Sequence, residues 1–254
     1  MYEINQDDLP EEFLSAWYQA GSYLQSMGQG GVNWLRANLN KPFIEHLSFR
    51  FGNKLFFIFV EIESVPLTDS QREIFISYSN RATAIPCVFT MKRVPNGFEP
   101  TSAGWGLIDA STQKPINPLV LVSDELIEIS DWECNDLGIQ IVKNYITYQG
   151  HEILSSQSAL DVDPSIWFKD KDTNKSSWVV VRSVRYPLKN AKQPDNIQNI
   201  KSHFEHESKN GYFASISIAN TNDPFDPTAE STGNFLPIYR GHPVVPKFDG
   251  LVEI

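Results

Sequence analysis

Acidic residues in the second half of the chain are the side chains best suited to chemistry. They are Glu133, Asp136, Asp161, Asp163, Asp170 and Asp172. Carboxylate oxygens are the ligands that magnesium prefers, and a bound magnesium ion lowers the pKa of an attacking water. Aspartates in loops are also ordinary turn residues exposed to solvent, and this second interpretation is favoured for the four aspartates from 161 to 172.

Two helices and four strands are predicted around these acids. The first helix begins with a capping box between Ser130 and Glu133 and ends before Gly150. Its predicted apolar face is Cys134, Leu137, Ile141, Tyr145 and Tyr148. The predicted strands are residues 151–158, 165–169, 178–184 and 212–219.

The second helix is predicted to lie between the third and fourth strands. It begins at Asp195 with a capping box to Gln198, and Gly211 ends it. Its apolar stripe is Ile197, Ile200 and Phe204. The predicted order is therefore helix, three strands, helix, strand.

Two short runs on the second and third strands stand out. They are Pro164-Ser165-Ile166 and Trp178-Val179-Val180-Val181-Arg182. With the order of elements, they resemble the core of the PD-(D/E)XK nuclease superfamily, which includes many restriction endonucleases. Active members carry Pro-Asp on the second strand and Glu-x-Lys or Asp-x-Lys on the third. The resemblance implies that the two carboxylates bind magnesium and that the lysine positions the attacking water.

The chain departs from that pattern at all three catalytic positions. Ser165 replaces the aspartate, Val180 the glutamate and Arg182 the lysine. Serine is a poor magnesium ligand, valine is none, and arginine does not readily release a proton at neutral pH. We therefore expect an inactive site with no cofactor. The alternative is a displaced site built from Asp163, Glu133 and Asp170, which would use magnesium or manganese.

The sequence predicts an α/β fold, with a mixed sheet flanked by helices and the restriction-endonuclease-like αβββαβ core in the C-terminal half. The predicted function is that of a non-catalytic cytoplasmic protein that uses a nuclease-like scaffold for interaction or assembly. Two alternatives stay open: a metal-dependent nuclease or phosphodiesterase with a displaced site, and nucleic-acid binding without cleavage. The partner is unknown; a protein is considered, and no membrane is expected.

The net charge of −10 disfavours binding to phosphate backbones. Any binding of nucleic acid is therefore expected to be weak. It would depend on a basic strip between residues 169 and 192. The strip consists of Lys169, Lys171, Lys175, Arg182, Arg185, Lys189 and Lys192. Arg240 and His242 could also contact a phosphate or a carboxylate, although a structural role is favoured for both.

The remaining composition favours a reducing compartment. The first residues, Met1-Tyr2-Glu3-Ile4, lack the basic and apolar regions of a signal peptide, and the chain has no long apolar run. Its two cysteines, Cys87 and Cys134, do not have the spacing of a zinc site. The expected location is the cytoplasm.

Residues 1–128 are predicted to form a smaller α+β domain of unknown role, followed by the nuclease-like domain over 129–254. A capping box between Asp8 and Glu11 begins its first helix, with Phe13, Trp17, Ala20 and Leu24 on one face. A hairpin follows over 46–62, then a helix over 68–82, a strand over 84–91 and a loop-rich segment over 95–118. The boundary is placed within 123–130. Because helix, hairpin, helix, strand repeats part of the later order, a diverged second copy of the core is an open alternative.

Overall fold

The computed structural model describes residues 12–37 and 46–254. Two mixed sheets flanked by helices make up this part of the chain, so the predicted α/β fold class is confirmed. The chain divides into two compact units, Met1–Ile127 and Glu128–Ile254. The division falls within the segment in which the sequence predicts a boundary.

The first unit contains three helices and seven strands in the described residues. They are α1 (Phe13–Met27), β1 (Val32–Arg36), β2 (Leu47–Phe51), β3 (Lys54–Ile62), α2 (Asp69–Arg81), β4 (Ile85–Val94), β5 (Gly97–Pro100), β6 (Leu107–Asp109), β7 (Pro115–Ile116) and α3 (Pro118–Leu121). The sheet has the order β1-β2-β3-β4-β6-β7, and β5 also pairs with β4. Only the β3–β4 pair is parallel, and α2 connects those two strands.

The predicted face of α1 is confirmed, because Phe13, Trp17, Ala20 and Leu24 are all buried in the core of the first unit. The capping box predicted between Asp8 and Glu11 lies outside the described residues. The hairpin formed by β2 and β3 turns at Gly52-Asn53, as predicted.

The helix predicted over 68–82 is also present, and its inward face differs in part. Thr68 forms a capping box with Gln71, and Phe75 is fully buried. The apolar pattern of this helix predicts that Ile74, Phe75 and Tyr78 face inward. Ile74 is instead 44% exposed, so its assignment is wrong. Ile74 and Phe75 are neighbours on a helix and therefore point in directions about 100° apart, so both cannot face one narrow core.

The second unit contains three helices and six strands. They are α4 (Asp131–Tyr148), β8 (Glu152–Ser156), β9 (Ile166–Lys169), β10 (Ser176–Arg185), α5 (Ile197–Phe204), β11 (Gly211–Asn220), α6 (Pro227–Thr232), β12 (Val244–Phe248) and β13 (Val252–Glu253). Its sheet has the order β12-β11-β10-β9-β8, with β13 also on β11, and β10–β11 is its parallel pair.

Helix α4 begins with the predicted capping box between Ser130 and Glu133, and Gly150 follows it with a positive φ of 87°. The predicted apolar face is partly wrong. Cys134 is buried as predicted, and Leu137, Ile141 and Tyr145 pack partly buried against the same cluster. The fully buried side chains of that cluster also include Ile139, Val142 and Ile146, which were not predicted, and Tyr148 is 88% exposed. The buried face also includes the polar residues Glu133, Asn135 and Asp136. A prediction based on apolar residues alone therefore places the buried face at a different angle around the helix.

Helix α5 is shorter than predicted. It begins at Ile197 after Asn196, with no side-chain cap, so the capping box from Asp195 to Gln198 is wrong. It ends at Phe204, and Gly211 is the first residue of β11 instead of the end of the helix. Its two isoleucines, Ile197 and Ile200, are buried as predicted.

The two units share one order of elements and one pattern of pairing. In each, a helix precedes three antiparallel strands, and a second helix leads to a fourth strand parallel to the third. Each first strand also has a register shift that leaves one leucine without a partner. In β1 this is Leu35, between Trp34 and Arg36, and in β8 it is Leu154, between Ile153 and Ser155.

Candidate functional site

Ser165 stands immediately before β9 and supports the backbone. Its N–H donates to the carbonyl of Val179 at 2.9 Å, and its Oγ accepts the N–H of Val181 at 3.2 Å. Ile166 also pairs with Val179, so two consecutive residues face one residue of β10. The buried Ser165 hydroxyl thus closes an irregular end of the sheet ladder.

Val180 lies on the side of β10 that faces α5. It is fully buried in a cluster with Trp178, Ile197, Ile200 and Phe213. Its neighbours Val179 and Val181 are equally buried on the opposite side, in the cluster under α4. A strand sealed on both faces leaves no water or ligand access at the position where the resemblance expects a metal-binding glutamate.

Arg182 and Asp163 are the two predicted site residues that the structure brings together. Arg182 Nη1 donates to Asp163 Oδ1 at 2.9 Å, and Nη2 donates to Oδ2 at 2.6 Å. Nη1 also donates to the carbonyl of Val181. The pair is partly buried, and both carboxylate oxygens are engaged in a bidentate geometry.

Glu133, the second displaced-site candidate, is bound to Arg240. Arg240 Nε donates to Glu133 Oε1 at 2.8 Å, and both side chains are almost fully buried. Glu133 Oε2 accepts from Arg240 Nη2 and from the N–H and hydroxyl of Ser130. One carboxylate therefore both caps α4 and neutralises a buried guanidinium.

Asp170, the third candidate, organises the turn between β9 and β10. Its Oδ1 accepts the N–H and the hydroxyl of Thr173 and the N–H of Asp172. Hydrogen bonds from Thr173 lower the pKa of the Asp170 carboxyl, because they stabilise its charged form. This geometry is that of a turn residue, the interpretation favoured for the loop aspartates.

The three candidates thus have three separate sets of partners. No group of three or more His, Cys, Asp or Glu side chains in residues 12–37 and 46–254 is arranged to hold a metal ion. A displaced site would need Asp163, Glu133 and Asp170 to converge on one ion. Instead, two are held by arginines and the third by a turn.

Much of the basic strip is also occupied. Arg185 binds Asp131 and the carbonyl of Ile129, and Lys189 binds Glu230. Lys171 donates to the carbonyl of Gln149, beside the end of α4. Together with the Arg182–Asp163 pair, four of the seven cations have an anionic or carbonyl partner in their own unit. The strip therefore offers less free positive charge than its sequence suggests.

Two buried polar contacts were not predicted from the sequence. Ser158 Oγ donates to Asp136 Oδ1 at 2.5 Å, and Asn135 Nδ2 donates to the Ser158 carbonyl at 3.4 Å. Arg240 has the structural role favoured from the sequence, because it binds Glu133 across 107 residues of sequence. The polar residues Asn135 and Asp136, near the start of a predicted helix, are a local signal for the contacts with Ser158. No local signal in the sequence connects Arg240 with Glu133.

Most of the second unit is similar to a known family of domains. Residues 132–254 match the family described as a domain of unknown function, DUF8840. The match begins at the second residue of α4 and covers every later element. Searches of curated proteins and of solved structures find no match. None of the helices in the described ranges is both long and apolar enough to span a bilayer.

Proposed function

We propose that the unit Glu128–Ile254 is a nuclease-like scaffold that has lost catalysis and acts through interaction or assembly. The observation that carries the proposal is the Arg182–Asp163 pair. It joins the position of the expected lysine to the aspartate nearest the expected metal site, and it occupies both carboxylate oxygens.

The arrangement of elements supports the resemblance. The unit has the order helix, three strands, helix, strand, with an antiparallel β8–β9–β10 meander and a parallel β10–β11 pair. Pro164-Ser165 immediately precedes β9 and Val180 lies within β10, close to where the resemblance expects the two metal ligands. The order and the two positions agree, while the residue types do not.

The surroundings of these positions argue against catalysis. A divalent ion at Asp163 would have to displace a bidentate guanidinium that already supplies the positive charge. A carboxylate at Val180 would be buried in an apolar cluster. Such a group is costly unless it is paired. Asp163 alone gives one carboxylate, whereas magnesium sites in proteins usually combine carboxylates with substrate phosphates.

The test is a cleavage and metal-binding assay on the full chain. We expect no cleavage of single- or double-stranded DNA or RNA with magnesium or manganese, and no calorimetric signal for manganese. The Arg182→Gln variant frees Asp163 and should still bind no manganese, because no group of three or more His, Cys, Asp or Glu side chains in the described residues is arranged to hold a metal ion. Arg185→Gln is the matched control, since it also breaks an arginine–aspartate pair in this unit.

Two results would contradict the proposal. Metal-dependent cleavage that disappears in Asp163→Ala would establish the displaced site. Duplex DNA binding that persists at physiological salt and is lost in Arg182→Gln would favour the alternative of nucleic-acid binding without cleavage. The proposed location is the cytoplasm, because Cys87 and Cys134 are both free and buried.

A further inference from the structure

The strongest unexplained feature of the first unit is a run of exposed apolar side chains. Leu119, Val120, Leu121, Val122 and Leu126 are each at least 37% exposed, and Val120 reaches 76%. Elsewhere in the described residues, exposed large apolar side chains occur singly or in pairs along the chain. Contiguous exposed apolar surface on a folded protein commonly marks an interaction site. We call residues 119–126 the apolar ridge.

The apolar ridge is held in place by polar contacts. Asn53, in the β2–β3 turn, donates through Nδ2 to Ser123 Oγ at 3.0 Å and to the Glu125 carbonyl at 2.8 Å. Its Oδ1 accepts the N–H of Ser123 at 3.1 Å. Asn117 accepts the N–H of Leu119 and so caps α3.

An apolar contact fixes the same segment. A Cβ added at Gly52 would lie 2.6 Å from Val122 Cγ1, so Val122 packs closely over the turn. Polar and apolar contacts therefore both hold the ridge in place. Pre-organisation lowers the entropy lost when a partner binds, which favours its use as a docking surface.

We propose that the apolar ridge docks a protein segment whose apolar side chains are flanked by lysine or arginine. Asp124 and Glu125 lie within the ridge and are both exposed, and the whole chain has a net charge of −10. Glu125 also pairs with Lys54 at 3.4 Å, so Asp124 is the main charge of the ridge itself. A partner with basic flanks gains from this field, whereas an acidic partner or an anionic membrane is repelled. The apolar ridge belongs to the first unit, so this inference goes beyond the function proposed for Glu128–Ile254.

The probe is a synthetic amphipathic helix with leucine on one face and lysine on the other. An environment-sensitive dye on Val120→Cys reports its binding. Labelling is selective because burial raises the pKa of the Cys134 thiol to about 11 and that of the Cys87 thiol well above its usual value. A dye on Tyr148→Cys is the matched control, since Tyr148 is equally exposed in the second unit.

We expect the peptide to change emission at position 120 and not at position 148. Leu119→Ser should weaken binding about tenfold, because it removes an exposed leucine that the partner would bury. A peptide with glutamate in place of lysine should not bind. Asp124→Asn should weaken binding and reduce its salt dependence.

Four outcomes would overturn the proposal. They are equal emission changes at both positions, binding unaffected by Leu119→Ser, a response to phosphatidylserine vesicles in place of the peptide, or a response to chain concentration alone. The last would identify a second copy of this chain as the occupant. None of these results bears on metal binding, so failure here and failure of the proposed loss of catalysis are distinguishable.

Discussion

Arginine neutralises the carboxylates that a nuclease-like core would use for metal. Arg182 holds Asp163 beside β10, and Arg240 holds Glu133 at the start of α4. The two pairs differ in burial, since the Arg182 side chain is 28% exposed and that of Arg240 is 2% exposed. A buried pair is costly to break because removing one partner leaves the other charge without compensation. The Glu133–Arg240 pair is thus the more important of the two for stability.

Arg240→Ala should lower the free energy of unfolding by about 3–5 kcal/mol, because it leaves the buried Glu133 carboxylate without its cation. Urea denaturation of the full chain measures the change. Lys247→Ala is the control, since Lys247 pairs with Asp249 at 3.7 Å on the surface and should cost at most about 1 kcal/mol. Similar losses in both variants would show that the buried pair has no special role.

His46 provides a second residue-level prediction, in the first unit. Burial, with a further contribution from the nearby positive charge of Arg36, lowers the pKa of His46 from 6.5 to about 3. Its ring stacks on Phe57 with centroids 3.9 Å apart. Between pH 6.5 and 3, the unfolded chain therefore binds a proton that the folded chain does not. The stability contributed by neutral His46 is present above pH 6.5 and is lost as the pH falls.

His46→Phe keeps an aromatic ring and removes the titration, so the stability of the first unit should depend less on pH. From pH 6.5 to 5, the wild-type chain should lose about 1.5 kcal/mol more than the variant. Urea denaturation at each pH measures this difference. His206→Phe, at an exposed histidine, is the control. A variant that loses stability as steeply as the wild type would contradict the assignment.

At the scale of elements, local signals predicted well and long-range packing did not. The box Ser130–Glu133 and the turn at Gly52-Asn53 depend on neighbours in sequence, and both are present. The strand β1 was missed because Val32–Arg36 is short and does not alternate cleanly between apolar and polar residues. The Glu133–Arg240 pair depends on a segment that returns from the end of the chain, which no local pattern reveals.

Helix α4 crosses β10 at Gly138, where the sequence gives no warning of a close approach. A Cβ added at Gly138 would lie 1.9 Å from Ser183 Oγ and 3.2 Å from Ser183 Cβ. With alanine at this position, the Ser183 hydroxyl would have to rotate away, and the contact with Ser183 Cβ would still be shorter than an ordinary van der Waals contact. The helix and the strand would therefore have to separate slightly.

Gly138→Ala should destabilise the second unit by about 1–3 kcal/mol, because the helix must move away from the sheet. Gly21→Ala in α1 is a matched control with the opposite sign. Nothing lies within 4 Å of a Cβ at Gly21, so alanine should stabilise by up to about 1 kcal/mol through helix propensity. The double variant Gly138→Ala/Ser183→Gly should recover part of the loss. The measurement is thermal denaturation of the parent chain and the three variants. A change in stability of the same sign in Gly138→Ala and Gly21→Ala would contradict the prediction.

At the scale of the whole molecule, the two units can be compared residue by residue through the pairing of their strands. In the first unit, Leu35 follows Trp34, which pairs with Phe49 on the second strand. In the second unit, Leu154 follows Ile153, which pairs with Phe168 on the second strand. When the strand pairings are followed from the second strand to the third, Phe57 of β3 occupies the position equivalent to Trp178 of β10. A matching bulge and register are more specific than a matching order of elements. They favour the alternative that residues 1–127 are a diverged second copy of the core.

By the same correspondence, Glu61 of β3 in the first unit is equivalent to Arg182 of β10 in the second unit. Glu61 is buried and accepts the N–H of Leu67 at 2.8 Å and the hydroxyl of Thr90 at 2.7 Å. It thus fixes the loop after β3 instead of facing a ligand. The equivalent positions of the two units therefore have different structural uses, and neither has a carboxylate pair.

Each unit also has its own hydrophobic core, which leads to the last prediction. The core of the first unit is built from residues 13–107 and the clusters of the second from residues 129–238, with no residue shared. Gly138→Ala should therefore speed amide hydrogen exchange in the second unit by roughly tenfold or more. That factor corresponds to a loss of about 1.4 kcal/mol or more. Amides of β3 should be unchanged. Exchange measured by NMR at Val179–Val181 and at Phe57–Val60 separates the two units in one sample. Equal acceleration at both sets of amides would show that the two units open together as one cooperative unit. It would contradict the prediction that they open independently.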